Sequence, residues 1–287
     1  MRCPNKKCCE REFQRSANIE YTRLAGISVS HIYNLRKSKV YKNKRRFFTK
    51  TQSKLSTIGE RRKPNANGLP GYLRVDTVRQ GDQDNVKGVY HVNLVDEVTQ
   101  FEVFFAVEKI SEAFLLPGLE AAIARFPFKI LGFHTDNGSE YLNKSVAALL
   151  EKLRIEFTKS RSRKSTDNAL AESKNNSVIR KLLGYAHIPQ HFASTINDQL
   201  QDLSYRHINF HRPCFFSEVI TDKKGKIKKR YPYKNLMTPF EKLASLDGVE
   251  TYLKEDVTLC DLRRFSEEKT DRESAMDFKK ARQHLFA

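Results

Sequence analysis

The chain holds 287 residues, 39% of them hydrophobic, with 52 Lys and Arg against 34 Asp and Glu and a formal charge of +18. That apolar content supplies one sizeable core plus a smaller appendage and excludes a disordered chain, while the charge favours a polyanionic partner. No stretch approaches the ~18 uncharged apolar residues of a membrane span, the N-terminus lacks the apolar run of a secretory signal, and five irregularly spaced cysteines fit a reducing cytosol.

The charge excess is an N-terminal feature. Residues 1–63 carry 18 basic and 4 acidic side chains, a net of +14, which leaves +4 for the remainder. Cys3, Cys8 and Cys9 form no C-x-x-C pair and have no second pair downstream, so a structural zinc is not expected there. Ile19, Leu24, Ile27, Val29, Ile32 and Leu35 are spaced for two short helices broken at Ala25 and Gly26, the pattern of a helix-turn-helix. The second helix starts near Ser28 as N-cap, buries Val29, Ile32 and Leu35, and presents Ser30, His31, Asn34 and Lys37 outward. Together with Arg36, these are groups that reach base edges and phosphates. Residues 1–37 are therefore read as a DNA-binding region and 38–70 as a basic linker, in which Arg45 and Arg46 follow a phosphate backbone. A merely solvated tether is the alternative.

From Gly71 the pattern changes to α/β. Segments 72–78, 89–95 and 101–107 are rich in Val, Phe and Tyr and read as three consecutive strands. A helix over 111–125, a strand over 129–134, a helix over 142–153, a short strand over 155–158 and a helix over 168–185 follow. This order implies a mixed sheet with helices on both faces, because strands separated by helices return by crossover.

Three acids stand out within it. Asp76 lies inside the first strand, where Asp is depleted. Asp136 follows the fourth strand in His134-Thr135-Asp136-Asn137-Gly138-Ser139-Glu140-Tyr141, at the carboxyl end where open α/β sheets place ligands. Glu172 sits one turn into the last helix, beside an apolar stripe of Ala171, Val178, Leu182 and Tyr185. Taken singly each has an ordinary structural reading: an edge residue, a turn, a solvated surface. If the fourth strand pairs beside the first, Asp76 and Asp136 become neighbours and the last helix brings Glu172 across the same end. Clustered carboxylates repel unless a cation sits between them, and a pair of Mg²⁺ ions suits an all-oxygen site that handles phosphate.

At this point the chain resembles the DDE integrase/transposase superfamily, and within it the insertion-sequence transposases with an N-terminal helix-turn-helix. The resemblance rests on the 134–141 motif, on the segment 160–172 ending Asp167-Asn168-Ala169-Leu170-Ala171-Glu172, and on the 35 residues between Asp136 and Glu172. Tyr205, Asn209, Arg212 and Pro213, then Thr238-Pro239-Phe240-Glu241, resemble the tail of the same core. It implies a ribonuclease H-like core over 71–215 and a basic, helical region over 216–287. It further implies Asp76, Asp136 and Glu172 as catalytic ligands of two Mg²⁺ or Mn²⁺ ions, with Asp76 bridging both. Double-stranded DNA, as element ends and target, is the expected partner, with a homo-oligomer on DNA, no nucleotide cofactor and no membrane, in the cytoplasm and nucleoid of a prokaryotic cell. The N-terminal region is short beside fuller members, which leaves open whether this copy is full-length, truncated or a fragment. A nuclease that never joins strands and an idle or repurposed DNA-binding protein are the alternatives.

Lys159, Arg161, Arg163 and Lys164 precede Glu172 in a basic loop expected to hold the scissile strand through phosphate contacts. Lys223, Lys224, Lys226, Lys228, Lys229 and Arg230 flank Gly225 in a hairpin or loop whose role stays open. Helical spacing at Phe278, Ala281 and Leu285 suggests packing against a partner subunit.

Overall fold

Two units divide the computed structural model, Met1–Lys54 and Leu55–Ala287; described are residues 4–16, 18–44, 57–136, 138, 140–162, 164–221, 225 and 227–285. The first unit runs α1 (Pro4–Ser16), a 3₁₀ turn (Ile19–Tyr21), α2 (Thr22–Ala25), α3 (Val29–Leu35) and α4 (Lys39–Lys44). Ser28 caps α3 as expected, its Oγ accepting from the His31 amide at 3.1 Å. Ser30, His31, Asn34 and Lys37 are exposed. Burial is shallower than the spacing predicts: Val29 and Ile32 are half-buried, Leu35 is exposed, and Arg36 lies half-buried with its guanidinium 5.4 Å from the centre of the Tyr33 ring. A seven-residue helix offers few turns to cover, so no described residue of α2 or α3 is fully buried. The mostly polar α1 has no apolar stripe to announce it and was not anticipated. Arg45 and Arg46 lie outside the described residues.

The second unit opens with β1 (Glu60–Arg61) and β2 (Tyr72–Arg79), then the small hairpin β3 (Asp82–Gln83) and β4 (Val86–Lys87), β5 (Tyr90–Asp96) and β6 (Glu102–Val107). Helix α5 (Glu112–Ala124), β7 (Gly132–Thr135), α6 (Lys144–Lys152) and β8 (Glu156–Lys159) follow. Next, α7 (Ala169–Lys174) continues through a π-turn (Asn175–Ile179) into α8 (Arg180–Leu183), and α9 (Ala193–Arg206) ends in a second π-turn (His207–His211). The last elements are β9 (Cys214–Phe215), β10 (Glu218–Thr221), β11 (Ile227–Arg230), β12 (Leu236–Met237), α10 (Pro239–Ala244), α11 (Leu259–Glu267) and α12 (Asp271–Leu285).

Six strands form one mixed sheet in the order β1-β8-β7-β2-β5-β6. β2, β5 and β6 are an antiparallel meander, and β7, β8 and β1 add in parallel on the other side of β2. This mixed sheet within an α/β fold is the arrangement that the order of strands and helices in the sequence implies. Alternation along β6 shows why both faces are covered: Val103, Phe105 and Val107 join one hydrophobic cluster with α5 and α6, whereas Phe104 and Ala106 join a second with α8, α9 and α12. β6 is an edge strand, and two asparagines close it. Asn209 accepts from the Glu102 amide at 2.7 Å and donates to its carbonyl at 2.8 Å; Asn197 does the same at Ala106 with 2.7 and 2.9 Å. Side-chain amides thus stand where a seventh strand would pair.

Three expectations are corrected. The segment 57–70 is no free linker: Glu60 and Arg61 pair with Thr158 and Lys159, and Ala66 is buried. The core does not end at 215, since Phe240, Leu243, Val249, Leu253 and Leu262 belong to the first cluster. Phe278 and Leu285 are buried against α9 within the chain rather than offered to a partner subunit. Among the described residues no helix is long and apolar enough to cross a membrane.

Candidate active site

The parallel ladder between β2 and β7 ends at Val75 opposite Thr135, so Asp76 and Asp136 are the next residues on adjacent strands, about 4.8 Å apart in backbone spacing. In β2, Leu73 and Val75 face the first cluster, which turns Asp76 to the other face together with Val78. That is the face covered by α7 and its continuation. Asn168, just before α7, ties the helix start to β2 by donating to the Val75 carbonyl at 3.1 Å. Arg74 adds a bond to the Asp167 carbonyl and an ion pair with Glu97 at 2.9 Å.

Asp76 is half-buried and held from two sides. One carboxylate oxygen accepts from the Thr77 amide at 2.9 Å and the other from Asn175 Nδ2 at 2.8 Å. Asn175 is itself fixed by Asn93, which donates to its Oδ1 at 3.0 Å. Burial pushes the Asp76 carboxyl up to about 6, the Thr77 amide pulls it down, and the charges of Asp136, Glu172 and Glu140 push it up again. The three expected acids therefore share one electrostatic neighbourhood. Asp136 Oδ1 accepts from the Gly138 amide at 2.7 Å. A Cβ at Gly138 would stand 2.6 Å from Glu140 Oε2 and 2.8 Å from Asp136 Oδ1, so only glycine lets both carboxylates close over that turn. Glu172 is exposed in the first turn of α7.

Glu140 is the acid that reading the motif missed as part of the cluster; its place two residues beyond Gly138 was the available signal. Burial, aided by Asp136, raises its carboxyl. The motif is braced from below: His134 bridges Thr158 Oγ1 at 2.9 Å and Ser160 Oγ at 3.2 Å, and Tyr141 bonds Thr77 through their hydroxyls. The all-oxygen donor set and the repulsion felt at Asp76 fit a hard divalent cation. The ligand shell is not preformed, however, because among the described residues no three His, Cys, Asp or Glu side chains lie within reach of a common ion. Holding an ion requires the acids to draw closer, and exposed Glu172 has the freedom to do so.

The basic loop differs from expectation. Lys159 is buried in β8 and its ammonium donates to the Ile58 carbonyl at 2.6 Å, which removes it from phosphate contact. The exposed face of this edge is taken up by β1, a strand the composition hid. Arg161 clamps buried Asp167 in a two-pronged pair at 2.9 and 3.0 Å, and this partner holds the Asp167 carboxyl down at about 2. Lys164 is exposed, and Arg163 lies outside the described residues. Arg61 bonds Ser162 Oγ at 2.6 Å, and Arg62 pairs with Glu156 and Glu60. Tyr185, read as part of the buried stripe, is exposed: the π-turn changes the helix phase so that Val178, Ile179 and Leu183 are buried, and the helix stops at Gly184.

No protein-family model matches the chain. An uncharacterized protein of Sinorhizobium fredii, y4rM, is 29% identical over 164 residues, 57% of this chain and 47% of that protein, so the matched part spans about half of the relative's length. Among solved structures, a chain of the simian T-cell lymphotropic virus intasome in complex with PP2A regulatory subunit B56 gamma aligns over 80% of this chain and 98% of its own, with 15% identity and a TM-score of 0.39. The HTLV-2 integrase catalytic core domain in complex with magnesium, in trimeric form, aligns over 55% and 93%, with 18% identity and a TM-score of 0.37.

Proposed function

We propose that the chain is a DNA transposase or integrase that cuts strands at the ends of a mobile element and joins the freed 3′-hydroxyls to target DNA. The observation that carries this reading is the placement of Asp76 and Asp136 on adjacent parallel strands, with Glu172 in the first turn of the covering helix. Asp76, Asp136 and Glu172 would hold the two Mg²⁺ or Mn²⁺ ions. Bound there, divalent ions lower the charge on a scissile phosphate and support in-line displacement at phosphorus. The protein's own part is orientation: the Thr77 amide and Asn175 aim the two Asp76 oxygens, and Asn93 keeps Asn175 in place. Hydrolysis breaks a P–O3′ bond and leaves a 3′-hydroxyl; in strand transfer that hydroxyl attacks a target phosphorus and displaces a new 3′-oxygen. No nucleophilic side chain is consumed.

Strand-transfer assays with a duplex carrying the element end test the proposal. Asp76→Asn, Asp136→Asn and Glu172→Gln are each expected to remove cleavage and joining while DNA retention persists; wild-type rates in any one of them would refute the assignment. A second reading, a transposase-derived DNA-binding protein without catalysis, is favoured by the open spacing of the acids among the described residues. It predicts retention of DNA and no product from wild type at any Mg²⁺ or Mn²⁺ concentration.

A further inference from the structure

Strands β10 and β11 form a two-stranded antiparallel ribbon with the register Glu218–Arg230, Val219–Lys229, Ile220–Lys228 and Thr221–Ile227. Its base is anchored. β9 pairs with β12, the Phe216 amide bonds the Asn235 carbonyl at 3.2 Å, Phe216 is buried, and Gln100 donates to the Phe215 carbonyl at 2.9 Å. Beyond that base no described residue of either strand is buried or belongs to a hydrophobic cluster.

Cross-strand pairing sorts the ribbon into two faces. Val219, Thr221, Ile227 and Lys229 share one, and Glu218, Ile220, Lys228 and Arg230 the other. Val219 and Ile227 are 64% and 70% exposed, and Tyr233 beyond the ribbon is 82% exposed. A ribbon this open, with apolar residues on its surface, is a pairing hazard unless charge or a partner covers it. Within 218–234 the sequence places seven basic residues against Glu218 and Asp222, and Glu218 is already engaged by Lys234 at 3.7 Å.

We propose that the β10–β11 ribbon is a DNA-binding element, in which Lys228, Lys229 and Arg230 contact phosphates of a duplex bound outside the acidic cluster. Lys228 and Arg230, two residues apart on one face, are separated by about 7 Å along the strand. A two-stranded ribbon also matches the width of a major groove. The polyanion is favoured over a protein partner because the exposed apolar side chains, Val219, Ile220, Ile227, Tyr231 and Tyr233, are interleaved with cations, which suits sugar and backbone contact better than a dry interface. The inference rests on the DNA-directed reading above and adds a contact surface to it.

The test is binding of the full chain to a 30-base-pair duplex of arbitrary sequence, followed by fluorescence anisotropy across a salt series. Lys228→Gln, Lys229→Gln and Arg230→Gln combined are expected to weaken binding at least tenfold and to make the slope of log affinity against log salt shallower by about 2–3, the signature of lost phosphate contacts. Unchanged affinity and slope would overturn the proposal. So would a change of oligomeric state in Val219→Ser/Ile227→Ser, by light scattering, if the glutamine variant still binds DNA like wild type, since that assigns the ribbon to a protein partner. In wild type, the same duplex is expected to protect Lys228 and Lys229 from acetylation, and absence of protection counts against the ribbon even if the variant misfolds. Binding is read in EDTA, where no cleavage can contribute, which keeps failure of the ribbon distinct from failure of the catalytic reading.

Discussion

Asp76 is a carboxylate placed where a strand would ordinarily carry an apolar or hydroxyl side chain, and the residues around it are spent on aiming it. Asn175 matters most, because among the described residues it is the side chain that bonds an Asp76 oxygen directly, and Asn93 locks its orientation. Groups that orient a ligating carboxylate typically change activity by 10–100-fold when removed. Asn175→Ala is thus expected to lower the cleavage rate by about 10–100-fold with DNA affinity preserved, and an unchanged rate would show that Asp76 needs no such support. A second buried pair lies behind this one. Glu102 is fully buried, and the Lys174 ammonium stands 3.8 Å from one of its oxygens. Burial pushes the Glu102 carboxyl up to about 7 from an ordinary 4.5, against the pull of Lys174. Between those values the folded chain holds a proton that the unfolded chain has released, so stability is highest below pH 4.5 on this account and falls as pH rises to about 7. Urea unfolding at pH 5 and pH 8 should show a loss on the order of 1–3 kcal/mol that Glu102→Gln flattens; an equal slope in both proteins would mean that Glu102 ionises freely.

At the scale of elements, one ring ties several parts of the tail to the sheet layer. Phe210, in the π-turn after α9, meets Phe101 at 5.7 Å, Phe240 at 5.3 Å and Phe265 at 4.9 Å, so it joins the residue before β6 to α10 and α11. Phe210→Ala is expected to cost about 3–5 kcal/mol by chemical denaturation, with α10 and α11 losing amide protection together; a cost under 1 kcal/mol would make the tail an independent appendage. The strands and crossover helices of the sheet were legible because their apolar runs keep the periods of 2 and 3.6; that the fourth strand pairs beside the first was a condition, which the β2–β7 ladder meets. Less was legible where neighbours decide. Lys159 reads as a loop cation until Glu60 and Arg61 cover the sheet edge; Arg161 reads as a phosphate ligand until Asp167 folds back onto it. Tyr185 was assigned to a straight helix, and the π-turn at 175–179 is invisible to a fixed period. Asn197 and Asn209 carry no local sign that they finish an edge strand 91 and 107 residues away.

Across the whole molecule, structure and charge are divided between the two units. Every residue of both hydrophobic clusters lies at or beyond Leu73, while residues 1–54 carry 15 basic against 3 acidic side chains, a net of +12 out of +18. Removal of residues 1–54 is therefore expected to leave the cooperative unfolding of the second unit unchanged within about 0.5 kcal/mol and to weaken duplex binding strongly. A chain that no longer unfolds cooperatively would show that the first unit supports the core. Catalysis requires Asp76, Asp136 and Glu172 to close on shared cations. Crystals soaked in Mn²⁺ and measured by anomalous scattering decide it most directly: two manganese peaks are predicted, one between Asp76 and Asp136 and one between Asp76 and Glu172, and an acidic cluster without manganese at saturating metal would contradict the catalytic reading.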